Sequence, residues 1–87
     1  MIRVSAEWCK VVRAVIDNRD WCTSTEISKA SKVVNRTVRH HLTKLVKENV
    51  LEERRLFPAI KYQLRFSLNS KAGKALVAQL EEAEGLF

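Results

Sequence analysis

Proline, glycine, cysteine and long apolar runs are all scarce in this sequence, and each scarcity excludes a class of protein. One proline and two glycines in 87 residues leave no room for a flexible linker or a collagen-like segment. Two cysteines cannot form a disulfide-dense scaffold, and no signal peptide is apparent near Met1. The longest apolar run, Leu56 to Ile60, is five residues long, which excludes a transmembrane helix. We therefore expect a cytoplasmic protein with free thiols and no membrane partner.

The composition that remains is that of a globular domain. Hydrophobic residues make up 46% of the chain and charged residues 30%, which is too apolar for a disordered protein. A length of 87 residues falls within the size range of one domain. We expect residues 1–87 to form this single domain and residues 69–87 to contain its last helix.

Positive charge is concentrated in the middle of the chain. The net charge of +6 comes from 16 Lys and Arg against 10 Asp and Glu. Residues 23–66 carry ten basic and four acidic groups, or +6, whereas residues 1–22 and 67–87 sum to +1 and −1. Between Glu26 and Glu48 six basic residues occur without an acid. Such a block is typical of a surface that binds a polyanion, and a solvated face is the equally weighted alternative.

Capping residues and apolar periodicity predict the first three helices. Ser5 can cap a first helix that ends at about residues 18–20, and Thr23 with Glu26 fits a capping box at the start of a short second helix. After a tight turn over residues 31–34, Asn35 is expected to cap a third helix that runs to about Glu48. The apolar residues of that helix fall on one side and its opposite side is basic or polar. The predicted buried stripe is Val38, Leu42, Leu45 and Val46.

From Val50 onward the apolar period changes from that of a helix to that of a strand. Residues 50–55 and 61–66 are predicted to form a two-stranded antiparallel hairpin, which the apolar segment Leu56–Ile60 connects. Asn69 or Ser70 is then expected to cap the final helix. The predicted fold is mostly α with a small hairpin, in the order helix, short strand, helix, helix, two strands, helix.

Two segments of the chain carry a motif, residues 25–31 (TEISKAS) and 35–46 (NRTVRHHLTKLV). Two short helices joined by a tight turn, followed by a hairpin, make a winged helix-turn-helix. In these segments the chain resembles winged-helix transcriptional regulators of the MarR and ArsR type, and residues 68–76 (LNSKAGKAL) resemble the start of the helix after the wing in MarR-like proteins. The resemblance covers roughly residues 5–80. It implies double-stranded DNA as the partner, and no cofactor.

The resemblance implies that the third helix, at about residues 35–48, enters the major groove. Arg36 is then the best candidate for base recognition, because its planar fork can bridge two acceptors on guanine. Lys44 and Lys47 are expected at phosphates, and Arg39 at a phosphate or an acid. The full set of candidate DNA-binding residues is Ser24, Thr25, Arg36, Thr37, Arg39, His40, Thr43, Lys44, Lys47, Arg54, Arg55 and Lys61.

The predicted wing departs from the usual pattern because its tip is apolar rather than basic or rich in glycine. The tip is flanked by Arg54, Arg55 and Lys61, which are expected to bind the phosphates of the DNA backbone. We expect the tip to fold back on its own domain or on a partner chain. Insertion of the tip into the minor groove is the alternative.

An apolar stripe on the last helix offers a surface for homodimerisation, which tight specific binding by one small winged helix would require. An alternative weighed equally is that the stripe covers Trp8 and Val12 of the same chain. The stripe consists of Leu76, Leu80, Ala83 and Phe87.

Catalytic and metal sites have no support in the sequence. The adjacent His40 and His41 point in different directions from one helix, and Cys9 and Cys22 lack metal-ligand spacing. Glu81, Glu82 and Glu84 are the one acidic cluster, and no glycine-rich phosphate loop is present. We therefore expect no enzymatic activity, no metal and no regulation by a small molecule.

The function predicted from these observations is sequence-specific binding of double-stranded DNA by a nucleoid-associated transcriptional regulator, as a homodimer. Two alternatives stay open. One is a protein-interaction module of a larger assembly that uses the apolar wing tip, because winged helices also serve that role. The other is binding of RNA or of a replication origin, which requires the same electrostatics.

Overall fold

The computed structural model describes residues 5–18, 20–56 and 58–87, without the Leu56 side chain. Two residues of predicted segments, Arg19 and Phe57, lie outside this description. The elements in chain order are α1 (Ala6–Asn18), β1 (Cys22–Thr23), α2 (Ser24–Ser31), α3 (Asn35–Lys47), β2 (Leu51–Leu56), β3 (Ala59–Leu64) and α4 (Lys71–Glu84). The strands form one antiparallel sheet in the order β1-β3-β2. This order confirms the predicted winged-helix fold.

Three of the predicted helix caps are confirmed by hydrogen bonds at the helix starts. The Ser5 hydroxyl accepts from the Trp8 amide at 3.1 Å, and the Ser70 hydroxyl accepts from the Gly73 amide at 3.1 Å. At α2 the Thr23 hydroxyl accepts from the Glu26 amide at 3.2 Å while the Glu26 carboxylate accepts from the Thr23 amide at 3.0 Å. Each of these bonds joins residues three apart, which is why sequence alone locates them.

Asn35 is not the cap of α3, so that prediction is wrong. The capping position is Val34, whose backbone is extended (φ −57°, ψ 139°) and whose side chain makes no capping hydrogen bond. Asn35 is instead the first helical residue, and its Nδ2 donates to the Thr25 Oγ1 at 3.4 Å. The Asn35 side chain therefore links α3 to the start of α2. At the other end, Asn49 adopts the predicted left-handed conformation with φ 62°.

The hairpin differs from the prediction in the length of its connection. The pairing of β2 with β3 continues toward the tip of the hairpin. Arg55 pairs with Ile60, and the last pair is Leu56 with Ala59. Two residues, rather than five, separate the strands. Leu56, Ala59 and Ile60 of the predicted connection belong to the strands, because their backbone groups gain cross-strand partners. Phe66, the predicted end of the second strand, lies beyond β3.

The core lies between the helices and one face of the sheet. Helix α1 contributes more of its residues than any other element, and α4 packs against α1. Leu76, Leu80 and Ala83 of the predicted dimer stripe are buried in this core, whereas Phe87 is 67% exposed beyond the end of α4. The stripe therefore covers α1 of its own chain, and the three buried side chains offer no surface to a second subunit in this arrangement. Arg13 of α1 and Glu84 of α4 add an ion pair at 2.6 Å.

Cys9 and Cys22 are both buried free thiols. The Cys22 Sγ donates to the Tyr62 carbonyl at 3.4 Å, which supports its predicted packing role beside α2. Across residues 5–18, 20–56 and 58–87, no helix has the length and apolar character needed to cross a bilayer.

Candidate nucleic-acid interface

Helix α3 has one apolar side and one basic side. Val38, Leu42 and Leu45 are buried, and Val46 packs against them from a half-buried position. The opposite side is solvent-accessible over the whole length of the helix. It carries the exposed residues Arg36, Arg39, His40, Thr43, Lys44 and Lys47, with Thr37 half-buried.

The basic side chains of α3 have no neutralising partner in the described part of the chain. The ion pairs there with N···O distances of 4.0 Å or less are Arg13–Glu84 and Arg55–Glu53. Helix α3 has no acid in its first turn, and its last turn carries Lys44 and Lys47. A surface of like charge without internal pairing raises the local concentration of anions. This property distinguishes the α3 face from a solvated face of mixed charge.

The start of α2 lies beside the start of α3. The Asn35–Thr25 hydrogen bond spans the two helices, and Thr25 is exposed while Ser24 is half-buried. Hydrogen bonds from the Thr23 backbone and side chain lower the pKa of the Glu26 carboxyl, so this acid is engaged in the cap. Thr25 thus lies beside the start of α3, whereas the assignment of Ser24 to the same interface stays a prediction.

The three predicted wing cations do not share one face of the sheet. Arg54 lies opposite Lys61 in the β2–β3 ladder, and Lys61 lies opposite Thr23 of β1, so these side chains form one row. Since successive residues alternate between faces, Arg55 lies on the other face. There the Arg55 Nε donates to the Glu53 carboxylate at 2.8 Å, which raises the pKa of Arg55. Within the described ranges Arg54 and Lys61 are free cations, whereas Arg55 is already paired.

Tyr62 of β3 is a buried residue of the wing, and charged groups of β2 and α3 act on its phenol. Burial raises the pKa of this phenol and Glu53 raises it further, while Arg55 and Arg39 lower it. Arg39 of α3 is exposed, and its charge contributes to the lowering of this pKa. Arg39 forms no ion pair within the described residues, so its predicted role at a phosphate or an acid stays a prediction.

The two histidines of α3 are in different environments. His40 is exposed and His41 is half-buried, with ring centroids 5.8 Å apart. Desolvation, His40 and Lys44 lower the pKa of His41, and Glu7 of α1 raises it. The helical period of α3 predicts a half-buried His41 against α2. Its half-burial is confirmed, and the acid nearest to it belongs to α1. In the described residues no three His, Cys, Asp or Glu side chains lie together as a metal site would require.

Sequence reasoning missed two residues of this surface. Val34, at the capping position of α3, is 73% exposed, although its neighbour Val33 is buried. Trp21, just before β1, lies under the Arg54 guanidinium. At the wing tip Ile60 is 38% exposed and Pro58 is exposed. Val34 was missed because a valine in a turn carries no sequence signal that shows whether it is exposed or buried.

Solved structures with the same fold are transcription regulators. BpsR from Bordetella bronchiseptica has a TM-score of 0.73 at 20% identity over 97% of this chain and 57% of its own. A MarR variant from E. coli has a TM-score of 0.68 at 19% identity over 94% of this chain and 58% of its own. MepR from Staphylococcus aureus, a regulator of a multidrug efflux pump, has a TM-score of 0.64 at 18% identity over 95% and 62%.

This chain has the winged-helix fold of these MarR-type regulators, as the motif resemblance predicted. It spans a little over half the length of BpsR and MarR. The sequence matches no protein-family model and no curated protein.

Proposed function

We propose that this chain binds double-stranded DNA sequence-specifically and acts as a transcriptional regulator, with α3 in the major groove. The observation that carries the proposal is the basic face of α3, which forms no ion pair within the described residues and lies opposite the buried Val38, Leu42 and Leu45. B-DNA admits one helix into its major groove, and phosphates flank that groove on both sides. A helix with cations along its exposed face, without acidic partners in the described part of the chain, matches this environment.

The proposed roles follow position along α3. Arg36 and Thr37 lie in the first turn, which in helix-turn-helix proteins is nearest the base edges. Lys44 and Lys47 lie in the last turn and are assigned to phosphates. Thr43 donates its hydroxyl to the Arg39 carbonyl at 2.9 Å, so it offers DNA only an acceptor in this conformation.

The wing and α2 would contact the backbone on either side of the groove. Arg54 and Lys61 form the row of free wing cations, and Thr25 adds a hydroxyl at the start of α2. Arg55 is assigned a structural role with Glu53 instead.

We also propose that the functional unit is a homodimer, because a single winged helix buries too little DNA surface for tight specific binding. The burial of Leu76, Leu80 and Ala83 moves the candidate contact to other surfaces. Leu86 and Phe87, both exposed at the end of α4, are the apolar side chains available there.

The experiment compares two double variants with the same reduction in charge. Lys44→Ala with Lys47→Ala removes two cations from α3, and Lys71→Ala with Lys74→Ala removes two exposed cations from α4. Fluorescence anisotropy with duplexes selected from a random library is measured at several salt concentrations. We expect the α3 pair to weaken binding and to lower the salt slope by about 0.9 for each phosphate that the helix no longer neutralises. The α4 pair should have a much smaller effect.

Equal losses of affinity in both pairs would mean that net charge, not α3, drives binding. If wild type selects no duplex from the random library, the proposed DNA-binding function is wrong. The protein-interaction module with the exposed wing tip would then be the leading function.

A further inference from the structure

Val34 is the exposed apolar side chain that lies within the basic surface of the chain. The other large hydrophobic residues with high exposure among those described are Ile60 at the wing tip and Leu86 and Phe87 at the end of α4. Val34 is the residue immediately before α3, and the exposed Lys32 and Arg36 each lie two residues from it in the chain. An apolar side chain that is 73% exposed contributes little to the stability of the fold, because it buries little apolar area.

The backbone at Val34 is fixed from both sides. The Ser28 hydroxyl donates to the Val33 carbonyl at 2.5 Å, and the Val33 amide donates to the Ser31 hydroxyl at 3.3 Å. The Val34 carbonyl accepts the first helical hydrogen bond, from the Val38 amide at 3.0 Å. Because a β-branched side chain also has few rotamers, the isopropyl group of Val34 is held in nearly one place before any ligand arrives.

The residue type at this position works against helix stability. Ser, Thr, Asn or Asp at the capping position would accept a hydrogen bond from the first turn, and valine cannot. The absence of a side-chain cap at α3 contrasts with the capped starts of α2 and α4. A valine here therefore costs stability and leaves most of its surface exposed in the free protein, which indicates that it serves a contact made outside the chain.

We infer that Val34 packs against the C5-methyl group of a thymine in the major groove. That methyl is the apolar feature of the major-groove edges, whose other groups are hydrogen-bond donors and acceptors. The inference rests on the proposed function and deepens it, because it assigns Val34 as a specificity-determining residue beside Arg36. Arg36 would select a guanine and Val34 would select a nearby thymine.

The test uses duplexes in which each thymine of the selected site is replaced, one at a time, by deoxyuridine. This change removes the methyl group and leaves every hydrogen bond of the base pair. For wild type we expect about fourfold weaker binding at one position of each half-site, the effect of removing one methyl-sized apolar contact. For Val34→Ser the deoxyuridine duplex and the parent duplex should bind equally.

Val34→Ser is chosen because serine can cap α3, so the variant should fold at least as stably as wild type, as thermal unfolding would show. Ile60→Ser is the matched control, since it removes an exposed apolar residue from the wing and should keep the full deoxyuridine effect.

Specific binding by wild type with no sensitive thymine overturns the inference and leaves the proposed function standing. A deoxyuridine effect that persists in Val34→Ser also overturns it, because another residue then contacts the methyl. Absence of any duplex binding by wild type overturns the proposed function and the inference together.

Discussion

Arg54 places its guanidinium over the indole ring of Trp21, with the Cζ atom 4.8 Å from the ring centroid. Trp21 precedes β1 and Arg54 belongs to β2, and the two strands lie on opposite sides of β3. The stack therefore spans the outer face of the three-stranded sheet. It holds a wing cation in place without neutralising its charge, which keeps Arg54 available for a phosphate.

The Arg54–Trp21 stack predicts a change in tryptophan accessibility. Arg54→Ala should increase acrylamide quenching of the half-buried Trp21, because the ring loses its cover, and should reduce the free energy of unfolding by about 0.5–1 kcal/mol. Trp8 is buried and contributes little to the quenching. Arg55→Ala is the control, since Arg55 lies on the other face of the sheet. Equal quenching in both variants would show that Arg54 does not cover the ring in solution.

Substitution by alanine is expected to have opposite effects on stability at Gly73 and at Gly85, because the space around the two glycines differs. A Cβ on Gly73 would collide with the Ser67 carbonyl and lie 2.5 Å from the Leu68 Cα, both of them backbone atoms. Gly73→Ala should therefore destabilise the fold by about 1–3 kcal/mol, despite the higher helix propensity of alanine. At Gly85 the nearest atom is 3.4 Å away and φ is −67°.

Gly85→Ala should accordingly stabilise the chain by about 0.4–1 kcal/mol, through a less flexible unfolded state. Denaturant unfolding of both variants measures the two effects. Stabilisation by Gly73→Ala would contradict the close approach of the 67–68 backbone to α4.

The fold was predictable from sequence where the determining contacts are local. The capping box of Thr23 with Glu26 and the Ser70 cap join residues three apart, and the buried side of α3 follows from its period. Asn35 shows the limit of this reasoning. Its side chain has the right chemistry for a cap, but α3 begins at Asn35 itself, and its Nδ2 donates to Thr25 of another helix, an arrangement that depends on tertiary packing.

The candidate site was predictable in part for the same reason. The period of α3 predicted which of its residues are exposed. The alternation of faces along β2 separates Arg55 from Arg54, and the strand register, which the sequence pattern did not predict, places Lys61 opposite Arg54. Exposure of Val34 beside the buried Val33 depends on where the turn between α2 and α3 changes direction, and two adjacent valines carry no signal for that point.

Because the pKa of His41 is lowered in the folded state, we expect the protein to lose stability in mild acid. Burial first, and then His40 and Lys44, lower its pKa in the folded state, while Glu7 acts in the opposite direction. Above the unfolded pKa of about 6.5 both states are neutral and stability does not depend on this group. As pH falls below that value the unfolded state binds more protons, so the free energy of unfolding decreases until the folded pKa is passed.

Denaturant unfolding between about pH 7 and pH 5 measures the effect of His41. His41→Gln should flatten the profile in this window, and His40→Gln, at an exposed position, should flatten it less. The pKa values of the Glu26 and Glu84 carboxyls are lowered in the folded state. The stability that these two groups contribute is therefore lost at a more acidic pH than the window in which His41 titrates. A profile that is the same for wild type and His41→Gln would rule out His41 as the source.

A glutamate is expected to affect folding differently at Leu80 and at Phe87, because the first side chain is buried and the second is exposed. Leu80 is 0% exposed, so Leu80→Glu should unfold the chain, because a carboxylate in the core has no partner. Phe87→Glu should leave the fold intact. If Phe87 contributes to a homodimer, light scattering should show this variant as a monomer at concentrations where wild type is dimeric. A folded Leu80→Glu variant with reduced mass would restore the α4 stripe as the dimer contact.

Arg36 and Lys47 predict separate effects on specificity and on salt dependence. Arg36 lies in the first turn of α3, so Arg36→Ala should reduce the preference for the selected duplex over mutated duplexes by about 1–3 kcal/mol, concentrated at one base pair of each half-site. Lys47 lies in the last turn, so Lys47→Ala should weaken all duplexes alike and lower the salt slope by about one. Anisotropy on selected and scrambled duplexes at several salt concentrations separates these outcomes. Wild-type behaviour of both variants on every duplex would mean that α3 does not lie in the groove.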